Sequence, residues 1–299
     1  MSAAGGGVVV VGDVVTDVVA VLSGQPVPDT DTPAAVRLTG GGQAANTAVW
    51  LAWHGVAVTL AATVGADGPG VARVAELRAA GVACPVPPLP GAATGTIIVL
   101  VDGVHRTMVT DRGAALRLRP SDVDVALDAA PGARHLHLSA YPLLDAESRS
   151  AGSHAIATAR ERGMTVSVDA ASAAPLRRVG KAFLDWVSGC DLLLANADEA
   201  EVLAGDGVAE TQARALARVT RIAVVKRGAG GAVWADAHGV RTAPAPSVRV
   251  VDPTGAGDAF AAALLAAWLA GDEPSAALGA GVAAGAAAVS VVGARPPHR

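Results

Sequence analysis

The stretch Val250-Val251-Asp252-Pro253-Thr254-Gly255-Ala256-Gly257-Asp258-Ala259-Phe260 runs from a turn into an apolar segment of helical length. Gly255 and Gly257 leave backbone N–H groups uncovered at a helix N-terminus, where the macrodipole also favours negative charge, so a phosphate fits there. Asp258 is then the odd residue. A carboxylate in the first turn competes for that anion unless it has its own task, such as accepting the proton of a hydroxyl that attacks phosphorus. Taken alone, Asp258 could equally be an acidic first-turn residue that stabilises its helix. His135-Leu136-His137 suggests a different chemistry, since it puts two imidazoles on one face of a strand as metal-dependent hydrolases do. Further His or carboxylate ligands at strand ends are not evident, and a neutral imidazole is readily satisfied in a core. Neither a Walker A sequence nor a G-x-G-x-x-G between strand and helix occurs, so P-loop and Rossmann nucleotide sites have no support.

The elements that must hold these residues follow from hydrophobic pattern. Short β-branched runs alternate with Ala- and Leu-rich stretches of helical length, the pattern of βαβ units around a mainly parallel sheet, and the chain reads as α/β. Strands are predicted at 8–11, 58–64, 135–138, 165–168, 192–194 and 222–226, each apolar on both faces as buried parallel strands are. Helices are predicted at 43–54, 70–80, 121–129, 146–162 and 176–187, and from 252 to 292 the chain turns almost wholly helical. One region breaks the alternation. The runs 95–101 and 104–110 join at Asp102-Gly103, a dipeptide that supplies the positive φ of a two-residue hairpin turn. With 18–22 and 35–38 they predict a small second sheet beside the main one, serving as a lid or a dimer surface.

With 299 residues, 52% hydrophobic and 17% charged, the chain can bury a large core and is not disordered, collagen-like or coiled-coil. Its 23 basic and 27 acidic residues give a net charge of −4 without a block of like charges. That pattern offers neither a nucleic-acid footprint nor a polybasic membrane anchor, and it leaves small molecules as the expected partners. The uncharged run from Pro274 to Ala294 is mostly Ala and Gly, so despite a mean hydropathy of +0.42 a buried helix is predicted rather than a membrane span. Residues 1–7 lack the basic start of a signal peptide. Cys84 and Cys190 are too few for a disulfide scaffold and lack metal-ligand spacing, and a cytoplasmic setting is expected.

The string from Asp252 to Phe260 closely resembles the C-terminal signature of the ribokinase-like (PfkB) carbohydrate kinases. Gly40-Gly41-Gly42-Gln43-Ala44-Ala45-Asn46-Thr47-Ala48 resembles that family's N-terminal glycine signature. Asn196-Ala197-Asp198-Glu199 looks like its N-x-x-E, and Lys226-Arg227-Gly228-Ala229-Gly230-Gly231 looks like its G-x-x-G nucleotide loop. The motifs stand in the family's order, and the resemblance spans residues 8 to about 296. It implies one domain over 1–299 with a ribokinase-like three-layer α/β/α fold, a mainly parallel central sheet and a small β-sheet lid drawn from about 14–39 and 94–110. The implied activity is ATP-dependent phosphorylation of a hydroxyl, foremost a primary CH₂OH, of a sugar or sugar derivative.

Carried over position by position, Asp258 is similar to the catalytic base, and the N–H groups of Gly255, Ala256, Gly257 and Asp258 to the anion hole. Asn196 and Glu199 match positions that organise Mg²⁺, Glu199 through water; their i, i+3 spacing equally suits an Asn cap with a first-turn Glu. Lys226, Gly228 and Gly231 fall at the nucleotide, while Asp17, Gly41, Gly42 and Asn46 match the acceptor pocket. Arg112 lies in a stretch that resembles one entering that pocket, where it could pair with an acidic or phosphorylated acceptor. Tyr141 follows a strand near where family members contact the sugar. Asp252 and Val292-Gly293-Ala294 resemble two loops that hold K⁺ in several members. Ribokinases proper carry an Asn two residues before Asp17 and a Lys after the Gly pair; here Val15 and Gln43 stand there, so ribose held in the ribokinase manner is not expected. Lids of the family often pair between subunits, which implies a homodimer. A nucleoside kinase of the same family is the alternative, disfavoured by only five Trp, two Phe and one Tyr to sandwich a base. A metal-dependent hydrolase and a non-catalytic sugar-binding protein are the alternatives of other classes, and the latter has no need of a base in the anion hole.

Overall fold

A computed structural model describes residues 6–102 and 105–297. The β-branched runs pair into a nine-stranded sheet. From one edge its strands are Gly239–Ala243, Ala232–Asp236, Ile222–Lys226, Leu192–Asn196, Thr165–Asp169, Ala133–Ser139, Gly7–Val11, Val58–Ala61 and Val82–Ala83. All pairings are parallel except the two that attach Ala232–Asp236 and Gly239–Ala243. Because side chains alternate along a strand, Val8 and Val10 enter one core while Val9 and Val11 enter the other. Helices Gln43–Trp53, Ala256–Leu269 and Pro274–Ala288 close the first core. Helices Pro120–Asp128, Arg149–Glu161, Ala197–Ala204 and Ala209–Leu216 close the second. The sheet is thus apolar on both faces, and each fully buried Val or Leu in it contributes about 1.5–3 kcal/mol.

Parallel strands all point their carboxyl ends one way, and in this sheet those ends are polar. Asp13 just past Gly7–Val11, Ser139, Asp169, Asn196 and Lys226 form a row along one rim. Such a rim is where open α/β sheets bind ligands, since backbone and loops are free there. Directly after Asp13 the chain leaves for a second, four-stranded sheet in the order Ala34–Gly41, Val15–Leu22, Thr94–Asp102, His105–Gly113. Its hairpin is antiparallel up to the pair Asp102 and His105, while Gly103 of the expected turn lies outside the described residues.

Local chemistry explains where the elements depart from expectation. The helix expected at 176–187 is two, Ala173–Val179 and Ala182–Val187, broken at Gly180 with φ of 60°. The strand expected at 58–64 stops at Ala61. The uncharged run forms the helix Pro274–Ala288, and among the described residues no helix is long and apolar enough to cross a membrane.

Candidate active site

Gly255 caps the helix Ala256–Leu269 in the left-handed region, φ 75°, and a Cβ there would collide with the Ala294 carbonyl. Only glycine fits, and the turn aims the N–H groups of Gly257 and Asp258 out of the helix end. Asp252 braces this turn from below. Its Oδ1 accepts the N–H and hydroxyl of Thr254 at 3.0 and 2.6 Å, and its Oδ2 accepts the Gly293 N–H at 3.0 Å. The two loops expected to flank a monovalent cation are therefore held together by this carboxylate. Asp258 is half-buried, and Asn46 Nδ2 donates to its Oδ2 at 3.0 Å. Burial pushes the Asp258 carboxyl up to about 8; Asp169 and Asp13 add to this, and the Asn46 hydrogen bond and Lys226 oppose it.

On the acceptor side, Asp17 is buried with its carboxyl against the Gly41 Cα, so that any Cβ at 41 would strike it. Burial raises Asp17 to about 6, helped by Asp13 and opposed by Arg295 and Arg73. Gly42 is the N-cap of the helix Gln43–Trp53, which delivers Asn46 one turn later, buried and facing Asp258. Arg112, at the end of the small-sheet hairpin, bonds Asp13 rather than Asp111: its guanidinium reaches Asp13 Oδ2 at 3.3 Å. The same guanidinium lies 3.5 Å above the Tyr141 ring, a cation–π stack that fixes its plane. Asp17, Gly41, Gly42, Asn46, Arg112 and Tyr141 thus come from four stretches of chain to one mouth beside Asp258.

On the phosphate side, Lys226 Nζ bonds Asp169 Oδ2 at 2.6 Å and lies 3.6 Å from where a Cβ on Gly257 would stand. The ammonium is therefore over the uncovered helix end. Burial alone would lower the Lys226 pKa, but Asp169, Glu199 and Asp258 outweigh it and raise it, so the lysine stays charged. Gly228 and Gly231 bracket the short turn between Lys226 and Ala232–Asp236. Asn196 and Glu199 form a reciprocal capping box, each side chain accepting the other's backbone N–H, at 2.9 and 2.8 Å. Asn196 Nδ2 also donates to Glu199 Oε1 at 2.7 Å. The cap is real, and it also holds a buried carboxyl beside Lys226. Burial raises Glu199 to about 7, with Lys226 opposing and Asp169 adding. Among the described residues no three His, Cys, Asp or Glu side chains converge to cage a metal. A magnesium ion here would take most of its ligands from water and phosphate, as it commonly does.

Four participants escaped the motif reading. Asp13 accepts the Ala44 N–H at 3.2 Å as well as Arg112. Gln43 donates to Asp169 Oδ1 at 3.0 Å and accepts from Ser139 at 2.6 Å, so it ties the glycine signature to the lysine's partner. Asp13 and Asp169 each stand where an apolar strand ends, a signal that was present in the sequence. Arg295 bonds Asn46 and Glu76, and no spacing announced it. The two strand histidines are wholly buried on Thr165 and Ser167, at 2.7–2.8 Å, and burial drives them down to about 3 and about 4, so they are neutral core groups.

Residues 6–299 match the family model for pfkB family carbohydrate kinase. The chain is 34% identical over 275 residues to the ATP-dependent ribose-1-phosphate kinase of Halopiger xanaduensis, covering 90% of this chain and 87% of the relative. It is 33% identical over 260 residues to the 2-dehydro-3-deoxygluconokinase of Thermoproteus tenax, covering 84% and 80%. Its fold matches that of the adenosine kinase from Sinorhizobium meliloti with a TM-score of 0.88, over 98% of this chain and 96% of that one, at 24% identity.

Proposed function

Because the chain belongs to the pfkB family of carbohydrate kinases and has the ribokinase-like fold, we propose that it transfers the γ-phosphoryl of ATP to a hydroxyl, foremost a primary CH₂OH, of an anionic sugar. The observation that carries this reading is the Asn46–Asp258 hydrogen bond, 3.0 Å across 212 residues of sequence. It joins the glycine loop that suits sugar hydroxyls to the helix end that suits a phosphate. Asp258 takes the proton of the attacking hydroxyl. The N–H groups from Gly255 to Asp258 and the Lys226 ammonium receive the negative charge that spreads over the transferring group. Asp17, Gly41, Gly42 and Asn46 orient the acceptor by its other hydroxyls, which is worth more to this reaction than covalent help. Gly228 and Gly231 border the nucleotide.

Asn196 and Glu199 would hold a magnesium ion through its waters, and the ion would supply positive charge to neutralise the phosphates of ATP. A potassium ion between the Asp252 turn and Gly293-Ala294 would steady the N–H groups, and equal rates in K⁺, Na⁺ and a bulky organic cation would remove it. The small sheet acts as the lid, excluding water that would otherwise hydrolyse ATP. One of its faces exposes Val36, Leu38, Ile98 and Val109. An apolar sheet face left in solvent favours pairing with a second copy, so the protein is a homodimer. Cys84 and Cys190 are free, in keeping with a reducing cytoplasm.

Arg112 supports the anionic acceptor, since a planar guanidinium at the mouth of the pocket matches carboxylate or phosphate. The two relatives described above bear names of kinases for anionic sugars, a sugar phosphate and a sugar acid. The test is an ADP-release screen over ribose 1-phosphate, 2-dehydro-3-deoxygluconate, ribose, neutral hexoses and nucleosides. An anionic sugar is expected to give the highest kcat/KM. A nucleoside or neutral sugar in first place would overturn the assignment.

A further inference from the structure

Asn46 has an amide whose two ends do opposite things, and only its neighbours decide which end faces Asp258. Arg295 Nε donates to Asn46 Oδ1 at 3.2 Å. A guanidinium carries donors only, so the Asn46 atom that faces it must be the oxygen. The amide nitrogen is then turned to Asp258 Oδ2, which it meets at 3.0 Å as a donor. With the amide reversed, Asn46 would present its oxygen to Asp258, and that contact favours a protonated carboxyl able to donate. The orientation of one amide thus separates a carboxylate that can accept a proton from an acid that cannot.

Arg295 is itself anchored. Its NH1 reaches Glu76 Oε2 at 3.2 Å, and the same glutamate bonds Arg73 on the helix Gly68–Ala79. The Arg295 side chain is 18% exposed, and its buried NH2 has no hydrogen-bond partner among the described residues. A guanidinium that loses water and leaves a nitrogen unpaired costs stability, so its retention calls for another reason.

We propose that Arg295 is a positioning residue for phosphoryl transfer: through the Asn46 amide it holds Asp258 as a hydrogen-bond acceptor and leaves the other carboxylate oxygen to the acceptor hydroxyl. This rests on the reading of Asp258 as the base. Asp258 is also faced by Asp13 at the sheet rim, by Asp169 and Lys226 on the strand ends, and by Tyr141. Among the described residues the hydrogen bonds of Arg295 go to Asn46 and Glu76 and to none of those groups.

The experiment measures pH–rate profiles with ATP, Mg²⁺ and whichever sugar of the screen is turned over fastest. In Arg295→Met the acid limb of kcat/KM should move alkaline by about one pH unit, a rate loss of about tenfold on the limb that is recovered above it. Recovery at high pH also shows that the variant is folded. Arg295→Lys, which likewise only donates, should restore part of the limb's position. In an Asn46→Ala background, Arg295→Met should add no further shift, because the route runs through Asn46. An unmoved limb, an equal loss at every pH, or a full additional shift on Asn46→Ala would each overturn the proposal. The base reading fails separately, if Asp258→Asn keeps the parent's kcat and the same acid limb.

Discussion

On the phosphate side of Asp258, the polar groups come from short contiguous stretches. Gly255 to Asp258 form one turn, Asn196 and Glu199 one capping box, and Lys226 with Gly228 and Gly231 one strand end and its loop. On the acceptor side the groups meet from far apart: Arg112 bonds Asp13 across 99 residues, and Arg295 bonds Asn46 across 249. The charge that develops in phosphoryl transfer is the same for every acceptor, so a fixed local turn can serve it. The acceptor differs from one kinase to the next, and a pocket assembled at the junction of two sheets can be changed one contact at a time.

Asp258 stands on the boundary, and its replacement should have the largest effect. Asp258→Asn is expected to lower kcat by ~10²-fold or more, while ATP binding measured by calorimetry stays near that of the parent. If ATP binding fell as steeply as kcat, the boundary drawn here would be in the wrong place. Arg112→Ala tests the acceptor side alone. It should raise KM for an anionic sugar by about 10–100-fold, as loss of a charge-assisted pair does, with little change in KM for ATP. An unchanged sugar KM would leave Arg112 as a partner of Asp13 and Tyr141 only.

A smaller effect concerns pH. Asp258 must be ionised to accept a proton, and burial holds it up to about 8 in the free protein. Since kcat/KM reports groups of the free enzyme, it should rise about tenfold per unit below that value and level off above it. Replacing Lys226 by Met removes a neighbouring positive charge and should move the limb further alkaline. A limb near the ordinary carboxylate range would mean that the cleft is better solvated than its walls suggest.

The same contrast explains what was legible beforehand. Hydrophobic period placed six of the nine central strands, because a strand apolar on both faces has few other homes, while the small sheet was read from its Asp102-Gly103 turn. The motifs singled out Asp258, Asn46, Glu199 and Lys226, each in a short stretch whose local residue pattern marks it. Arg295 could not be found that way: it lies in Gly293-Ala294-Arg295-Pro296, without periodicity, and its meaning comes from Glu76 and Asn46 on two other helices. Gln43 was visible only as a departure from a lysine. Its bond to Asp169, 126 residues away, belongs to the fold and not to the motif.

The last predicted effect is on stability, and its sign is opposite to that on activity. In the unfolded chain Asp258 ionises near 3.8, while in the folded protein it holds its proton up to about 8. Between those values the folded state binds a proton that the unfolded state has released, so unfolding free energy falls as pH rises. Asn has no charge to desolvate and escapes this loss. Asp258→Asn should therefore match the parent's Tm near pH 4 and exceed it increasingly towards pH 8, by ~2–4 °C for each kcal/mol regained in a chain of this size. Asp17 and Glu199, raised to about 6 and about 7, impose the same slope on both proteins and cancel in the difference. Melting curves of the two proteins from pH 4 to pH 9 decide it. A constant difference across that range would mean that Lys226 and Asn46 already keep Asp258 ionised in the folded state, and the cleft would then hold its base ready before any substrate arrives.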